Sequence, residues 1–195
     1  MERLRAFVAV DLPPAVRGAV EGVIGELRSR ANDGVRWVRP EGVHLTLKFL
    51  GDIDEDSVPQ VSGALDRRAA SAVPFDLFLE GVGAFPNARR PRVIWIGLDG
   101  GLEPLLALQQ AIEQELEGLG FARERRPFNP HLTLGRIRDG ISAPQRGRLS
   151  EALAEVRVQP GVELPVREVS LMRSDLRPSG AVYTRLHAAE LGSGR

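Results

Sequence analysis

Two short segments of the chain repeat the same pattern of chemically active residues. His44-Leu-Thr-Leu47 recurs as His131-Leu-Thr-Leu134, and these segments hold two of the chain's three histidines and two of its three threonines. Either histidine alone would be an ordinary packing residue beside a strand. The matched pair indicates that both segments serve one function.

The spacing within each segment suits a β-strand that is buried on one side only. Successive side chains of a strand point to opposite faces, so the histidine and the threonine share one face and the two leucines share the other. Each strand would therefore bury its leucines in the core and present an imidazole and a hydroxyl on the opposite surface.

Two imidazoles together suit general acid–base catalysis. The ordinary pKa of histidine lies near neutrality, so one ring can be neutral and accept a proton while the other is charged and donates one. Two nearby hydroxyls can hold non-bridging oxygens by hydrogen bonds. A tetrahedral phosphate, attacked by water on one side and losing an oxygen on the other, fits such a pair.

Metal binding is an alternative use of two histidines, but the neighbouring residues do not favour it. A catalytic metal site normally needs a third protein ligand and carboxylates that orient the histidines. Neither segment contains Asp or Glu, and threonine is a poor ligand. A Ser-His-Asp triad would leave one histidine and both threonines without a role. We therefore expect no metal and no other cofactor.

Hydrophobic periodicity around these segments predicts a mixed α+β protein. The predicted strands are residues 3–11, 34–39, 43–50, 75–85, 91–98, 131–138, 162–175 and 181–190. The predicted helices run from Pro13-Pro14 to about Arg30, from Asp54 to about Ala70, over 102–119 and over 143–157. Because the pattern occurs once in each half, we expect one domain, residues 1–195, whose two similar lobes share one groove.

Composition is that of an ordinary globular protein, with 43% hydrophobic and 27% charged residues. The net charge of zero argues against a protein that coats long nucleic acids, so an RNA substrate would be recognised at its end. No apolar run of about 20 residues is present, and the N-terminal residues lack the pattern of a secretory signal. The absence of cysteine excludes disulfides and thiolate nucleophiles and fits a cytoplasmic protein.

Longer stretches around the motifs resemble a known family. The matching stretches are Arg5-Ala-Phe-Val-Ala-Val-Asp-Leu-Pro13, His44-Leu-Thr-Leu-Lys-Phe-Leu-Gly51, Phe128-Asn-Pro-His-Leu-Thr-Leu-Gly-Arg136 and the late Ser174, Gly180 and Tyr183. With its two His-x-Thr-x motifs, the chain resembles the two-histidine (2H) phosphoesterases. Among them it is most similar to the bacterial and archaeal RNA 2′,3′-cyclic phosphodiesterases, also called LigT-like or 2′-5′ RNA ligase-like proteins.

The resemblance implies a fold and a reaction. The fold would be bilobal and LigT-like, with two pseudo-symmetric lobes, each made of an antiparallel sheet and helices, and a groove between them. The reaction would be hydrolysis of a terminal RNA 2′,3′-cyclic phosphate to a 2′-phosphate. His131 would be the general base that activates water, and His44 the general acid that protonates the leaving 3′ oxygen.

The resemblance also implies substrate-binding roles for four further residues. Thr46 and Thr133 would hold the phosphate. Arg136 would neutralise charge that develops on the phosphate in the transition state, and Phe49 would stack on the terminal base.

Strand alternation disagrees with two of these expectations. In a regular strand over 43–50, Lys48 would share the face of His44 and become a substrate-binding candidate, whereas Phe49 would point away. Arg136 likewise has the wrong parity relative to His131, so a bulge or strand end near Gly135 is needed to turn it inward. A core position for Phe49, a solvated position for Lys48 and a surface ion pair for Arg136 remain alternatives.

Other conspicuous residues have plainer interpretations. We expect Trp37 and Trp95 to lie in the core, and His187, which lacks the motif, to be structural. The clusters Arg89-Arg90 and Arg123–Arg126 are typical of solvated surface charge, with the rim of an RNA groove as the alternative.

Three other functions remain open. The same motifs would serve a cyclic phosphodiesterase of small nucleotides, or a weak ligation of 2′-5′ RNA ends by the reverse reaction. A non-catalytic RNA- or nucleotide-binding module is the third, although binding alone does not require two titratable imidazoles. We expect RNA ends with a 2′,3′-cyclic phosphate as the partner, tRNA fragments among them, no membrane or obligate protein partner, and a monomer.

Overall fold

The structure is a computed structural model that describes residues 3–178 and 180–192. These ranges contain four α-helices: α1 (Pro14–Ala31), α2 (Val58–Ala70), α3 (Leu102–Gly118) and α4 (Ala143–Glu155). They also contain nine strands: β1 (Arg3–Asp11), β2 (Val35–Trp37), β3 (His44–Asp54), β4 (Phe75–Phe85), β5 (Val93–Gly100), β6 (His131–Ile137), β7 (Glu163–Val166), β8 (Glu168–Arg177) and β9 (Gly180–Glu190). The ends of the expected domain, residues 1–2 and 193–195, lie outside the described residues.

The described strands form one antiparallel sheet with the order β7-β4-β5-β6-β3-β1-β8-β9, and β2 lies beside β6. Within the described ranges, β3 and β6 join through the backbone pair Leu45–Leu132. Apart from β2, four described strands lie on each side of this joint, so the order of these eight strands is symmetric about it. The expected α+β fold with two pseudo-symmetric lobes is thereby confirmed.

The helices cover one face of this sheet. α1 packs against α4, and α2 packs against α3. The apolar residues of α1 pack into the main core between the helices and the sheet. The helix begins at Pro14, and the first turn of a helix tolerates proline. α4 begins with a capping box, in which Ser142 and Gln145 bond to each other's backbone N–H. The face that the helices leave free carries the two motifs.

Two predicted strands differ from the observed ones for topological reasons. The strand expected over 34–39 shortens to β2, because only three of its residues pair with β6. The strand expected over 162–175 divides at Arg167 into β7, which pairs with β4, and β8, which pairs with β1. The chain changes lobes at this residue, and periodicity does not reveal a change of pairing partner. No helix of the described part combines the length and apolarity that a membrane crossing requires.

Candidate active site

The two motifs meet at the central joint of the sheet. Leu45 and Leu132, both fully buried, pair with each other in antiparallel register. This register places each histidine opposite the threonine of the other motif, as His44–Thr133 and Thr46–His131. Because the leucines enter the core, the four polar side chains share the free face of the sheet, called the groove face below.

Both imidazoles are anchored in the same way. Nδ1 of His44 lies 2.9 Å from the carbonyl oxygen of Gly42, and Nδ1 of His131 lies 2.7 Å from that of Asn129. A carbonyl oxygen only accepts, so Nδ1 carries the hydrogen in both rings. Nε2 is then the atom of each ring that is available for proton transfer.

Aromatic neighbours hold both rings in place. His44 stacks on Phe7 with a centroid distance of 4.5 Å, and the ring of Tyr183 lies nearly perpendicular to it at a centroid distance of 5.0 Å. The ring of Phe85 lies nearly perpendicular to His131, also at a centroid distance of 5.0 Å. Such contacts favour defined ring orientations, so each Nε2 has a fixed direction before substrate binds.

The charges around the two rings differ. Burial lowers the pKa of both histidines. For His44, the carbonyl of Gly42 and the carboxylate of Asp11 oppose this by raising the pKa. For His131, the carbonyl of Asn129 raises the pKa, but the guanidinium of Arg136 lowers it further. The local charges therefore favour the protonated form of His44 and the neutral form of His131.

A β-bulge in β3 decides which side chains follow the first motif. Thr46 pairs with Ala9 and Lys48 with Val8, so Leu47 has no partner in β1. The extra residue reverses the alternation. Lys48 is 4% exposed, whereas Phe49 is 63% exposed and lies 6.0 Å from the ring of Phe7 on the groove face.

Two expectations from regular strand alternation are therefore wrong. Lys48 does not face the groove, and Phe49 does not point away from it. The ammonium of Lys48 donates to Glu113 at 2.7 Å and to the carbonyl oxygen of Ala122 at 2.8 Å. The ion pair is buried and structural. With the bond to the carbonyl oxygen, it joins β3 to α3 and to the segment that leads to the second motif.

An equivalent bulge follows in β6. Thr133 pairs with Trp95 and Gly135 with Ile94, so Leu134 has no partner in β5. The bulge expected near Gly135 is thus confirmed, and it turns Arg136 onto the groove face.

Gly135 faces the core, where a Cβ would lie 2.9 Å from Val35 Cγ1 and 3.1 Å from Trp37 Cε3. The charge of Arg136 acts on the pKa of His131 in its own lobe and on that of Tyr183 in the other. Arg136 therefore lies where the two lobes face each other.

Comparison with known proteins decides the family. The family model of the 2′-5′ RNA ligase superfamily matches residues 12–178. The chain belongs to the 2′-5′ RNA ligase superfamily.

Several relatives match over nearly the whole chain. A Methanothermobacter thermautotrophicus protein named RNA 2′,3′-cyclic phosphodiesterase is 35% identical over 97% of this chain and 100% of its own length. A Thermus thermophilus protein of the same name is 36% identical over 96% of this chain and 90% of its own. The crystal structure of E. coli LigT with 3′-AMP has a TM-score of 0.77 and 25% identity, over 97% of this chain and 99% of that one.

Asp11 also lies at the candidate active site, although the sequence analysis did not identify it. It pairs with His44 across β1 and β3, and its carboxylate accepts a hydrogen bond of 2.9 Å from Ser170 and lies 3.7 Å from Arg185. The alternation of β1 places Asp11 on the same face as Phe7. That pattern was visible in the sequence, but the pairing of β1 with the first motif was not.

The structure agrees with the expectations for Trp37 and His187 but not with that for Trp95. Trp37 packs against the main core as expected, whereas Trp95 lies on the groove face opposite Thr133, 5.2 Å from Phe85. His187 is structural as expected, because its Nε2 lies 2.7 Å from Asp66 of α2.

The arginine clusters are surface charge in the structure. Arg89 and Arg90 are exposed in the β4–β5 turn, where their backbone N–H groups donate to Asn87. Arg123 and Arg126 form exposed ion pairs with glutamates. Among residues 3–178 and 180–192, no three His, Cys, Asp or Glu side chains cluster as a metal site would require.

Proposed function

We propose that this protein is an RNA 2′,3′-cyclic phosphodiesterase, a hydrolase that opens a terminal cyclic phosphate to a 2′-phosphate. The observation that carries the proposal is the arrangement of two Nδ1-anchored imidazoles and two threonines around the Leu45–Leu132 pair. The relatives that carry this name cover nearly the whole chain. We further propose that residues 1–195 act as one domain.

His131 acts as the general base and His44 as the general acid. Nε2 of neutral His131 takes a proton from water as the water oxygen attacks phosphorus. The bond from phosphorus to the 3′ oxygen breaks, and protonated His44 gives its Nε2 proton to that oxygen, leaving a 2′-phosphate and a 3′-hydroxyl. The guanidinium of Arg136 beside His131 and the carboxylate of Asp11 beside His44 support this assignment. The anionic phosphate itself also favours the charged form of His44.

The other groove residues bind the substrate. The hydroxyls of Thr46 and Thr133 donate to non-bridging phosphate oxygens, and Arg136 offsets the charge that develops on them. Phe49 offers an exposed ring beside Phe7, which stacks on His44, and the terminal base stacks on this exposed ring.

The test is hydrolysis of a short RNA with a 2′,3′-cyclic phosphate end, measured in EDTA. We expect a 2′-phosphate product from the wild type and a loss of at least about 10²-fold in His44→Ala and His131→Ala. His187→Ala is the matched control, because the third histidine contacts Asp66 and not the groove; it should retain activity. Activity that EDTA abolishes and a divalent ion restores, or a 3′-phosphate product, would contradict the proposal.

Reverse ligation is a second activity of the same site. The superfamily takes its name from 2′-5′ RNA ligation, and joining a cyclic phosphate to a 5′-hydroxyl end without ATP is the chemical reverse of cleaving a 2′-5′ linkage to a cyclic phosphate. The 5′ oxygen bonds to phosphorus as the bond from phosphorus to the 3′ oxygen breaks. The two imidazoles would keep their roles in it, with His131 taking the proton of the 5′-hydroxyl and His44 protonating the leaving 3′ oxygen. Incubation of the cyclic-phosphate RNA with a 5′-hydroxyl RNA tests it, and a 2′-5′ linkage is the expected minor product.

We also propose a monomer that works in the cytoplasm without a cofactor, on RNA ends such as those of cleaved tRNA. The monomer is supported by the location of both motifs in one chain, since no second subunit is needed to complete the pair of imidazoles. The absence of cysteine fits the cytoplasm.

A further inference from the structure

A cleft of about 460 Å³ lies beside β2, outside the motifs. The end of α1, the strand β2 and the residue after β6 form its walls. Its lining residues are Arg28, Asn32, Asp33, Gly34, Val35, Arg36, Trp37 and Arg138. Trp37 is fixed in one wall, because its indole N–H donates to Asn32 Oδ1 at 3.1 Å.

The charges in this cleft do not balance. Three of its lining residues, Arg28, Arg36 and Arg138, are cationic, and one, Asp33, is anionic. Asp33 already lies 3.6 Å from Arg148. Within residues 3–178 and 180–192, the side chains of the three arginines have no ion-pair or hydrogen-bond partner. Such a group of cations attracts an anion, and the planar guanidinium fits a phosphate.

The cleft is connected to the active site through the backbone register. Arg36 pairs with Arg136 across β2 and β6, and paired residues of antiparallel strands share a face with their Cα atoms about 5 Å apart. Arg138 follows two residues after Arg136, and its backbone N–H donates to Gly34 beside the cleft. A row of positive charge therefore leads from the groove face to the cleft.

We propose that this cleft binds the backbone phosphates of the RNA nucleotides that precede the cyclic phosphate. The inference rests on the proposed function, because it assumes an RNA end in the groove. A 2′,3′-cyclic phosphate terminates the 3′ end, so the rest of the RNA must leave the groove from the 5′ side of that nucleotide. A local cation row suits such a polyanion in a protein whose net charge is zero.

The test compares two substrates that differ in backbone phosphates. One is a nucleoside 2′,3′-cyclic phosphate, whose only phosphate is the reacting one, and the other is a tetranucleotide with the same end. The variant Arg36→Gln/Arg138→Gln is set against the control Arg3→Gln/Arg67→Gln. The control removes the same charge from exposed ion pairs with Asp54 and Glu115.

We expect the cleft variant to lose roughly tenfold or more in kcat/KM on the tetranucleotide, mainly through KM, and to keep its activity on the nucleoside substrate. The salt dependence of KM on the tetranucleotide should fall by about 0.7 in logarithmic slope for each lost phosphate contact. The control should match the wild type on both. Equal losses on both substrates, or no loss on either, would overturn the proposal.

The two proposals can fail separately. If the wild type opens neither substrate, the proposed function fails, and fluorescence anisotropy with a labelled tetranucleotide that ends in a 3′-hydroxyl then examines the cleft alone. Weaker binding by the cleft variant than by the control supports the subsite, and equal binding overturns it.

Discussion

The two motif strands, β3 and β6, share a backbone plan and differ in their neighbours. Both bulge at the second leucine of the motif, and both anchor the histidine through Nδ1 to a carbonyl two residues earlier. The charges differ: a carboxylate lies near His44 and a guanidinium near His131. Symmetric backbone geometry therefore supplies two equivalent imidazoles, and the neighbouring charges favour the protonated form of one and the neutral form of the other.

The strands β3 and β6 differ most at the residue that follows each bulge. Lys48 is buried and bonded to Glu113, whereas the equivalent Gly135 has no side chain, because Val35 and Trp37 fill the space. Lys48→Met should destabilise the fold by about 3–5 kcal/mol, since it leaves the Glu113 carboxylate buried without its cation. The free energy of unfolding in urea measures this.

Two companion variants sharpen that comparison. Lys48→Met/Glu113→Leu should recover most of the loss, because neither charge then remains buried. Gly135→Ala should lose about 1–3 kcal/mol through overpacking against Val35. The Lys48→Met protein that folds should retain kcat within a few-fold. A stable but inactive Lys48→Met would instead indicate that Lys48 binds substrate.

Lys48 also shows where sequence reasoning reaches its limit. The alternation of His, Leu, Thr and Leu was sufficient to predict that each motif exposes an imidazole and a hydroxyl and buries two leucines. It could not predict that β3 bulges at Leu47, because a bulge depends on how β1 pairs with the strand. At Arg136 the required bulge was inferred, since a second expectation, taken from the resemblance, demanded that the side chain turn inward.

Long-range pairing explains the other omissions. Asp11 lies many residues before His44 in sequence, and only the β1–β3 register brings them together. The break between β7 and β8 at Arg167 likewise follows from a change of strand partner. Local patterns predicted the elements and the two lobes, whereas tertiary pairing determined which charges surround each imidazole.

The threonines test whether the two halves contribute equally to phosphate binding. Thr46→Val and Thr133→Val should each lower kcat/KM by roughly 10²-fold, as expected for removal of one donor to a charged oxygen. Thr184→Val is the control, because the third threonine is exposed on β9. A large loss in only one motif would show that the phosphate lies nearer one lobe.

Phe49 and Arg136 occupy equivalent positions after the bulges and should act differently. Phe49→Ala should raise KM by roughly tenfold with little change in kcat, since it removes a stacking surface. Phe49→Tyr should restore KM, and Phe78→Ala, at another partly exposed phenylalanine, should have no effect. Arg136→Gln should lower kcat instead. An unchanged KM in Phe49→Ala would remove Phe49 from the binding surface.

The smallest expected effect concerns the pH dependence. A neutral base and a protonated acid give a bell-shaped profile of kcat/KM, whose acidic limb reports the base and whose alkaline limb reports the acid. Arg136→Gln removes a cation that lowers the pKa of His131, so this pKa rises and the acidic limb moves to higher pH. Asp11→Asn removes an anion that raises the pKa of His44, so this pKa falls and the alkaline limb moves to lower pH.

Both substitutions therefore narrow the bell if His131 is the base and His44 the acid. If the roles were reversed, the rise in the pKa of His131 would move the alkaline limb to higher pH. The fall in the pKa of His44 would then move the acidic limb to lower pH, and the bell would widen. Asp66→Asn, which changes a carboxylate beside His187, should leave both limbs in place. The direction of the change thus assigns acid and base from two neighbouring charges alone, without substitution of either histidine.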